Sequence, residues 1–230
     1  MATTLAQRLE PLSDLAADTL LVNEIFASIQ GESTHAGRPC TFVRLTACNL
    51  RCGYCDTTYA FMKGKRSSVA QVVAEVQRLG LPLVELTGGE PMLQPATPVL
   101  LTTLCDAGFE VLLETNGSVA LAAVDRRVKK IIDWKAPSSG EAVMNLDANI
   151  AQLLPHDEVK FVLASRADYD WARAEVARLP MVERGTVVFG PVFGALSPRD
   201  LAAWLVADRL PVRMQLQLHK LIWDPRARGV

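Results

Sequence analysis

Apolar residues in this chain fall into short continuous runs separated by longer stretches in which they recur at helical spacing. The runs 23–29, 40–45, 83–87, 109–114, 130–134, 158–163, 186–189 and 213–218 are rich in Val, Ile, Leu and Phe, the composition of strands buried on both faces. Between them, 67–79, 95–107, 167–178 and 197–207 read as amphipathic helices. The third opens Ala167-Asp168-Tyr169-Asp170-Trp171, with acids in its first turn. The fourth opens Ser197-Pro198, an N-cap followed by Pro at the first helical position. Alternation of strand and helix predicts an α/β fold, a mostly parallel sheet with helices outside. Ligand sites in such folds lie at the C-terminal ends of strands. Residues 1–21 precede the pattern and read as an N-terminal tail or short helix without chemistry, and 22–230 as a single domain.

Composition narrows the class. Half of the 230 residues are hydrophobic and about a fifth are charged, an ordinary globular balance with enough chain for a substantial core. A net charge of −1 provides no electrostatic footprint for nucleic acid. No segment reaches the length of a membrane span, and Met1 to Asp18 lacks the apolar run of a signal peptide. Five cysteines in such a chain fit a reducing, cytoplasmic setting better than a disulfide framework.

Three of those cysteines carry the chemistry. Cys48, Cys52 and Cys55 are spaced C-x3-C-x2-C. Three thiolates can hold a [4Fe–4S] cube by three corners and leave one iron open, whereas electron-transfer proteins normally ligate all four with Cys. An open position is the mark of a metal site that binds a reactant. Zinc is the alternative, but it wants four ligands, and only Cys52 and Cys55 form a C-x2-C pair. His35 is the remaining candidate to complete such a site. Cys40, in a strand run, and Cys105, on an apolar helix face, read as packing residues.

The residues around the triplet are more specific. Glu24 to Glu32 reads Glu-Ile-Phe-Ala-Ser-Ile-Gln-Gly-Glu, followed by Gly37-Arg38-Pro39 and Phe42-Val43-Arg44-Leu45. After the cysteines come Asp56-Thr57-Thr58-Tyr59-Ala60, Thr87-Gly88-Gly89-Glu90-Pro91, Glu114-Thr115-Asn116-Gly117, Asp133-Trp134-Lys135 and Gln217-Leu218-His219-Lys220. In that order, from about residue 22 to the C-terminus, the chain resembles the 7-carboxy-7-deazaguanine synthase family. These are radical S-adenosylmethionine enzymes of the queuosine pathway. Gln30-Gly31-Glu32 and Cys55-Asp56-Thr57 carry the family-specific part; the cysteine spacing and Gly-Gly-Glu-Pro carry only the superfamily.

The resemblance implies a partial, open barrel. It implies that a 5′-deoxyadenosyl radical takes hydrogen from C6 of 6-carboxy-5,6,7,8-tetrahydropterin. The ring then contracts and ammonia leaves, giving 7-carboxy-7-deazaguanine. The implied cofactors are a [4Fe–4S] cluster on Cys48, Cys52 and Cys55, S-adenosylmethionine, and Mg²⁺ on Thr57. Residues implied to bind S-adenosylmethionine are Gly89, Glu90, Asn116, Asp133, Trp134, Lys135, Gly190 and Pro191. Those implied for the substrate are Ile29, Gln30, Gly31, Glu32, Arg44, Thr87 and His219. No side chain is required as acid, base or nucleophile, although Glu114 could polarise the substrate. The implied partners are a small pterin substrate, a flavodoxin-like or ferredoxin-like reductant, and a second copy in a homodimer.

Each assignment has a plainer alternative. Gly88-Gly89-Glu90-Pro91 could be a turn stopped by Pro91. Thr57 could cap a turn beside Asp56. Arg44 in a buried strand needs a partner, Glu24 or Glu32, whether or not it meets a substrate carboxylate. Asn116 could be a cap, and a lone His at a strand end, as His219 reads, is commonly structural. Two departures from the family pattern stand out: Ala47 and Ser33 occupy positions where Gly is usual. Two rival classes share part of the pattern, a glycyl-radical-enzyme activase and a non-catalytic zinc or redox module.

Overall fold

The computed structural model describes residues 3–230. Its frame is one nine-stranded sheet of order β3-β1-β2-β4-β5-β6-β7-β8-β9. The strands are β1 (Thr19–Ile29), β2 (Pro39–Leu45), β3 (Lys65–Ser68), β4 (Leu83–Gly88), β5 (Glu110–Thr115), β6 (Lys129–Asp133), β7 (Glu158–Leu163), β8 (Thr186–Pro191) and β9 (Arg213–Met214). From β2 to β9 every pairing is parallel; β1 pairs antiparallel with both β2 and β3. The sheet ends in free edges at β3 and β9 and does not close into a barrel.

The helices are α1 (Leu5–Leu9), α2 (Val69–Leu79), α3 (Thr97–Asp106), α4 (Asp147–Ile150), α5 (Arg166–Arg178), α6 (Met181–Arg184), α7 (Pro198–Asp208) and α8 (His219–Ile222). The four long ones match the amphipathic segments to within two residues, because their ends carry local signals. Ser68 makes a capping box with Gln71, Ser165 accepts the Asp168 N–H, and Ser197 caps a helix that begins with Pro198. Among the described residues no helix is long and apolar enough to cross a membrane.

The sheet has two unlike faces. The outer face packs Val43, Leu45, Val84, Leu86, Leu113, Ile132, Val159 and Phe161 against the helices in the main core. The inner face holds a smaller cluster of Cys40, Phe42, Leu83, Leu112 and Ile131 near the strand starts, with Phe26 stacked on Phe42. Period-2 alternation then places Arg44, Glu85, Thr87, Glu114, Asp133 and Lys160 on that same inner face nearer the strand ends.

Three expectations are corrected. The run 213–218 yields a strand of only two residues; beyond Met214 the chain leaves the sheet and crosses to β1, where the Leu218 N–H donates to the Gly31 carbonyl at 2.9 Å. β3 is too short and polar for periodicity to show it, and it forms because Thr19–Val22 offers an edge to pair with. That pairing draws Thr19 to Leu21, placed in the tail by sequence, into β1.

Candidate active site

A cavity of about 930 Å³ opens on the inner face at the strand ends, within the size range of small-molecule sites. Its walls include Cys48, Cys52, Cys55 and Thr57 after β2, Thr87-Gly88-Gly89 ending β4, and Glu114, Thr115 and Asn116 ending β5. Asp133 and Lys135 from β6 and Lys160 from β7 complete the strand-end contribution. Ile29, Gln30, Gly31 and Glu32 come from the end of β1, and Gln217, His219 and Lys220 from the C-terminal segment.

The cysteine loop is held from several sides. The Leu50 N–H donates to Cys48 Sγ at 3.4 Å, and Asn116 Nδ2 lies 3.7 Å from the same sulfur. Donors aimed at sulfur are a means by which proteins tune iron–sulfur clusters. Arg51 Nη1 donates to the Cys48 and Leu50 carbonyls at 2.7 and 2.6 Å. Burial pushes all three thiols up, Cys52 to about 11, so without a metal they carry protons that iron would displace.

Gly88 and Gly89 let β4 end against this loop. A Cβ on Gly88, at φ +141°, would lie 2.2 Å from the Leu45 oxygen, and one on Gly89 would lie 2.0 Å from the Ala47 oxygen. Among the described residues no three His, Cys, Asp or Glu side chains converge to hold one metal ion. His35 lies at the opposite end of the sheet. It is bonded there to Glu110 at 3.2 Å and Lys129 at 3.0 Å, the first residues of β5 and β6, so it cannot complete a zinc site with the cysteines.

A chain of charge crosses the inner face. Lys160 Nζ donates to Glu32 at 2.9 Å and to Glu114, and lies 4.0 Å from Asp133, which accepts from Lys135 at 2.7 Å. Burial disfavours the Lys160 charge, but the surrounding carboxylates outweigh it and hold its pKa well above the ordinary lysine value. Burial likewise pushes Glu114 up, and Lys160 reverses the effect, leaving it at about 2. Glu85, 2% exposed, goes the other way: burial and the Glu114 charge raise it, so it stays protonated and shares a hydrogen bond with Glu114. Gln30 donates to Glu85 and accepts the Glu32 N–H at 2.8 Å. Asp133 Oδ1 is buried without a partner, an acceptor that a cofactor hydroxyl or amine would satisfy.

Arg44 has the partner that a charge in a buried strand requires. Its Nε donates to Glu24 at 2.8 Å, and its guanidinium lies between Phe26 and Tyr59, whose centroids are 5.9 and 5.8 Å away. Among the described residues neither terminal nitrogen is engaged, so the planar fork is free toward the cavity. The Thr57 hydroxyl donates to Asp56 at 3.0 Å, and Asp56 accepts from Lys220 at 2.6 Å. The neutral oxygen of Thr57, beside the third cysteine, is a hard donor of the kind Mg²⁺ takes. His219 begins α8 instead of ending a strand. Its ring packs so closely on Gly31 that a Cβ there would come within 2.3 Å of Nδ1.

Four residues expected at the S-adenosylmethionine site are not on the cavity wall. Glu90 is fully buried and accepts from the Met92 and Asn116 N–H groups and the Thr115 hydroxyl, joining β4 to β5. The Trp134 side chain lies in the outer core and donates to Glu175 at 3.2 Å, because neighbouring strand residues face opposite sides. Gly190 and Pro191 end β8 under Gln215, and the wall there is made by Val192 and Phe193.

The converse also holds. Glu85, Lys160 and Tyr59 line the cavity without having been singled out, as do residues 224–230, whose Arg228 stacks over Tyr59 at 4.1 Å. A Glu inside Leu83-Val84-Glu85-Leu86 and a Lys inside Val159-Lys160-Phe161 were available signals, since charges within buried strands require partners.

Residues 43–138, from β2 to the turn after β6, match the Radical SAM superfamily. The 7-carboxy-7-deazaguanine synthase of Chlorobaculum tepidum is 52% identical over 214 residues, 92% of this chain and 97% of that one. The enzyme of the same name from Koribacter versatilis is 45% identical over 225 residues, covering 91% and 99%. A crystal structure of QueE from Escherichia coli superposes with a TM-score of 0.71 over 86% of this chain and 94% of that one, at 21% identity, a likeness of fold. The chain belongs to the 7-carboxy-7-deazaguanine synthase family of radical S-adenosylmethionine enzymes.

Proposed function

We propose that this chain converts 6-carboxy-5,6,7,8-tetrahydropterin to 7-carboxy-7-deazaguanine with release of ammonia. The observation that carries the reading is the meeting, in one cavity, of the three cysteines, the Gly88-Gly89 strand end and the free fork of Arg44. When bound, the [4Fe–4S] cluster and S-adenosylmethionine supply the 5′-deoxyadenosyl radical, and the residues provide everything else. Gly89, Asn116, Asp133 and Lys135 form the wall suited to S-adenosylmethionine. The Arg44 fork takes the substrate carboxylate in a bidentate pair. Ile29, Glu32, Thr87 and His219 border the pterin, with Gln30, Gly31 and the neutral Glu85 fixing that border from behind. Glu114, held ionised by Lys160, lies where it can polarise the ring. Thr57 would place Mg²⁺ against substrate oxygens to neutralise charge and fix orientation.

We further propose a cytoplasmic, homodimeric enzyme whose single domain begins with β1 at Thr19 and not at residue 22, drawing electrons from a flavodoxin-like or ferredoxin-like donor. The reducing setting that free thiols need and the family resemblance support this. Anaerobic incubation of the reconstituted protein with the tetrahydropterin and S-adenosylmethionine tests the function. Formation of the deazaguanine acid and ammonia is expected in excess of the S-adenosylmethionine consumed, since substrate and product differ by ammonia alone and the abstracted hydrogen must be returned. Cleavage of S-adenosylmethionine without a deazaguanine product would reduce the reading to the superfamily level.

A further inference from the structure

The segment before the sheet has no role in the chemistry above, yet it touches the cysteine loop. α1 is only five residues long and none of them is buried. A helix so short is not stable by itself. It is started by a capping box between Thr4 and Gln7, and its Arg8 reaches two distant residues. Arg8 Nη1 donates to the carbonyl of Asn49 at 2.7 Å, a residue 41 positions away that directly follows Cys48. The same nitrogen lies 3.5 Å from Glu141 Oε1. Glu141 in turn accepts the Arg51 N–H at 2.7 Å, and the Gly53 N–H donates to the Ser139 carbonyl at 3.0 Å. The turn carrying Ser139 and Glu141 is anchored to α5 through Ser138 N–H and Asp168 at 3.0 Å.

We propose that Arg8 and Glu141 are positioning residues that brace the outer side of the cluster-holding loop and slow loss of the cluster. Three consecutive odd positions of that loop, 49, 51 and 53, are tied from outside. From inside, Asn116 and Ser118 bond the Asn49 side chain at 3.1 and 2.8 Å, and the Tyr54 hydroxyl donates to the Val162 carbonyl at 3.2 Å. Among the described residues Arg8 is the only donor to the Asn49 carbonyl, so its loss leaves that peptide, next to a ligand, tied only through the Leu50 N–H to Cys48 Sγ at 3.4 Å. A charged donor makes this bond stronger than a neutral one. Arg8 and Arg51 are also cations beside the loop. A cluster held by three thiolates gains negative charge on reduction, so removing Arg8 lowers its reduction potential.

The inference rests on the cluster reading, and the test separates the two. Wild type, Arg8→Ala, Arg8→Lys and Glu141→Gln are reconstituted anaerobically, and the first-order loss of iron to a ferrous chelator is followed by absorbance. The midpoint potential is measured by dye-mediated titration, and the thermal midpoint of each metal-free chain is recorded. Arg8→Ala is expected to lose iron five- to tenfold faster and to shift the potential downward, with its metal-free midpoint unchanged. Arg8→Lys should recover much of both effects, and Glu141→Gln should speed iron loss less than Arg8→Ala. Release rates within twofold of a wild type that does hold iron overturn the brace alone, as does a matching drop in the metal-free midpoint. A wild-type chain that takes up no iron overturns the cluster reading and the brace with it.

Discussion

Ala47, the residue before the first cluster cysteine, has φ +77° and no exposed surface. It cannot relax: its N–H donates to the Ala60 carbonyl at 3.0 Å and its carbonyl accepts the Glu90 N–H at 2.8 Å. An L-residue in the left-handed region costs roughly 1–2 kcal/mol. Ala47→Gly removes that strain but frees the unfolded chain, at a cost of about 0.4–1 kcal/mol. It also gives up one buried methyl, about 0.8 kcal/mol. The three contributions offset one another, so the substitution should be neutral to within about 0.8 kcal/mol. Ala172, equally buried but inside α5, is the control. There Gly costs about 1 kcal/mol in helix propensity plus the methyl, roughly 1.8 kcal/mol in all. For a chain of this size that lowers the thermal midpoint by roughly 4–7 °C. Urea and thermal unfolding of the two metal-free variants measure the difference. If Ala47→Gly cost as much as Ala172→Gly, the strain would be absent and the account of this turn wrong.

Four further outcomes follow from the site. Gly31→Ala drives a methyl into the His219 ring, so turnover should fall at least tenfold with iron content unchanged; undiminished turnover would show that α8 need not sit on β1. Arg44→Lys keeps the charge but loses the fork, so product formation should collapse while uncoupled cleavage of S-adenosylmethionine persists; equal loss of both, with a depleted cluster, would make Arg44 structural. Thr57→Val keeps the shape without the oxygen. Wild-type turnover should rise when Mg²⁺ is restored to stripped enzyme and the variant should lose most of that response, whereas indifference of wild type to chelators would remove the ion. At the far end of the sheet, the hydrogen bond from Arg38, supported by Lys129, holds Glu110 at about 2. Its unfolded value is about 4.3, so its contribution is complete above that pH and is lost as pH falls toward 2. Glu110→Gln should therefore narrow the gap in urea midpoint between pH 7 and pH 3, and an unchanged gap would contradict this.

The strands and long helices were legible because each carries its own signal, a continuous apolar run or a cap with a helical period. Strand-end motifs were legible because parallel sheets put ligands there. What sequence could not show depends on distant pairing. β3 exists only because residues 19–22 offer an edge, and His219 reaches the cavity only because the chain leaves the sheet after Met214. Trp134 and Glu90 lie off the cavity wall for a related reason. A motif names neighbours in the chain, but the pleat sends alternate side chains to opposite faces, and a buried carboxylate can serve two strands instead of a ligand. Ala47 and Ser33, the two positions where the resemblance leads one to expect Gly, have left-handed backbone, at φ +77° and +62°. The structure gives the departures a common physical meaning that spacing could not. Ser33 offsets its strain by accepting the His35 N–H on its own hydroxyl at 3.1 Å, which Ala47 cannot do.

The open sheet explains why so much charge lies on its inner face. In a closed barrel, inward side chains are fixed by neighbours on every side. Here β3 and β9 are separate edges, and the strand ends that carry the site have no closure to hold them. The series Glu114, Lys160, Asp133 and Lys135 ties β5, β6 and β7 together at those ends, and Lys160 extends it to Glu32 beyond β1. Because Glu85 stays neutral, it can donate to Glu114 while accepting from Gln30, joining β4 to the same network. Each buried charge therefore has an opposite charge or a donor, the condition under which such groups can be kept out of water. The same groups face the cavity, so the network that holds the wall in shape also presets the polar surface a pterin would meet. Preorganised polar groups of this kind need no rearrangement when the substrate arrives. A generic hydrophobic floor would stabilise the sheet equally well, but it would leave Glu32 and Glu114 unpositioned.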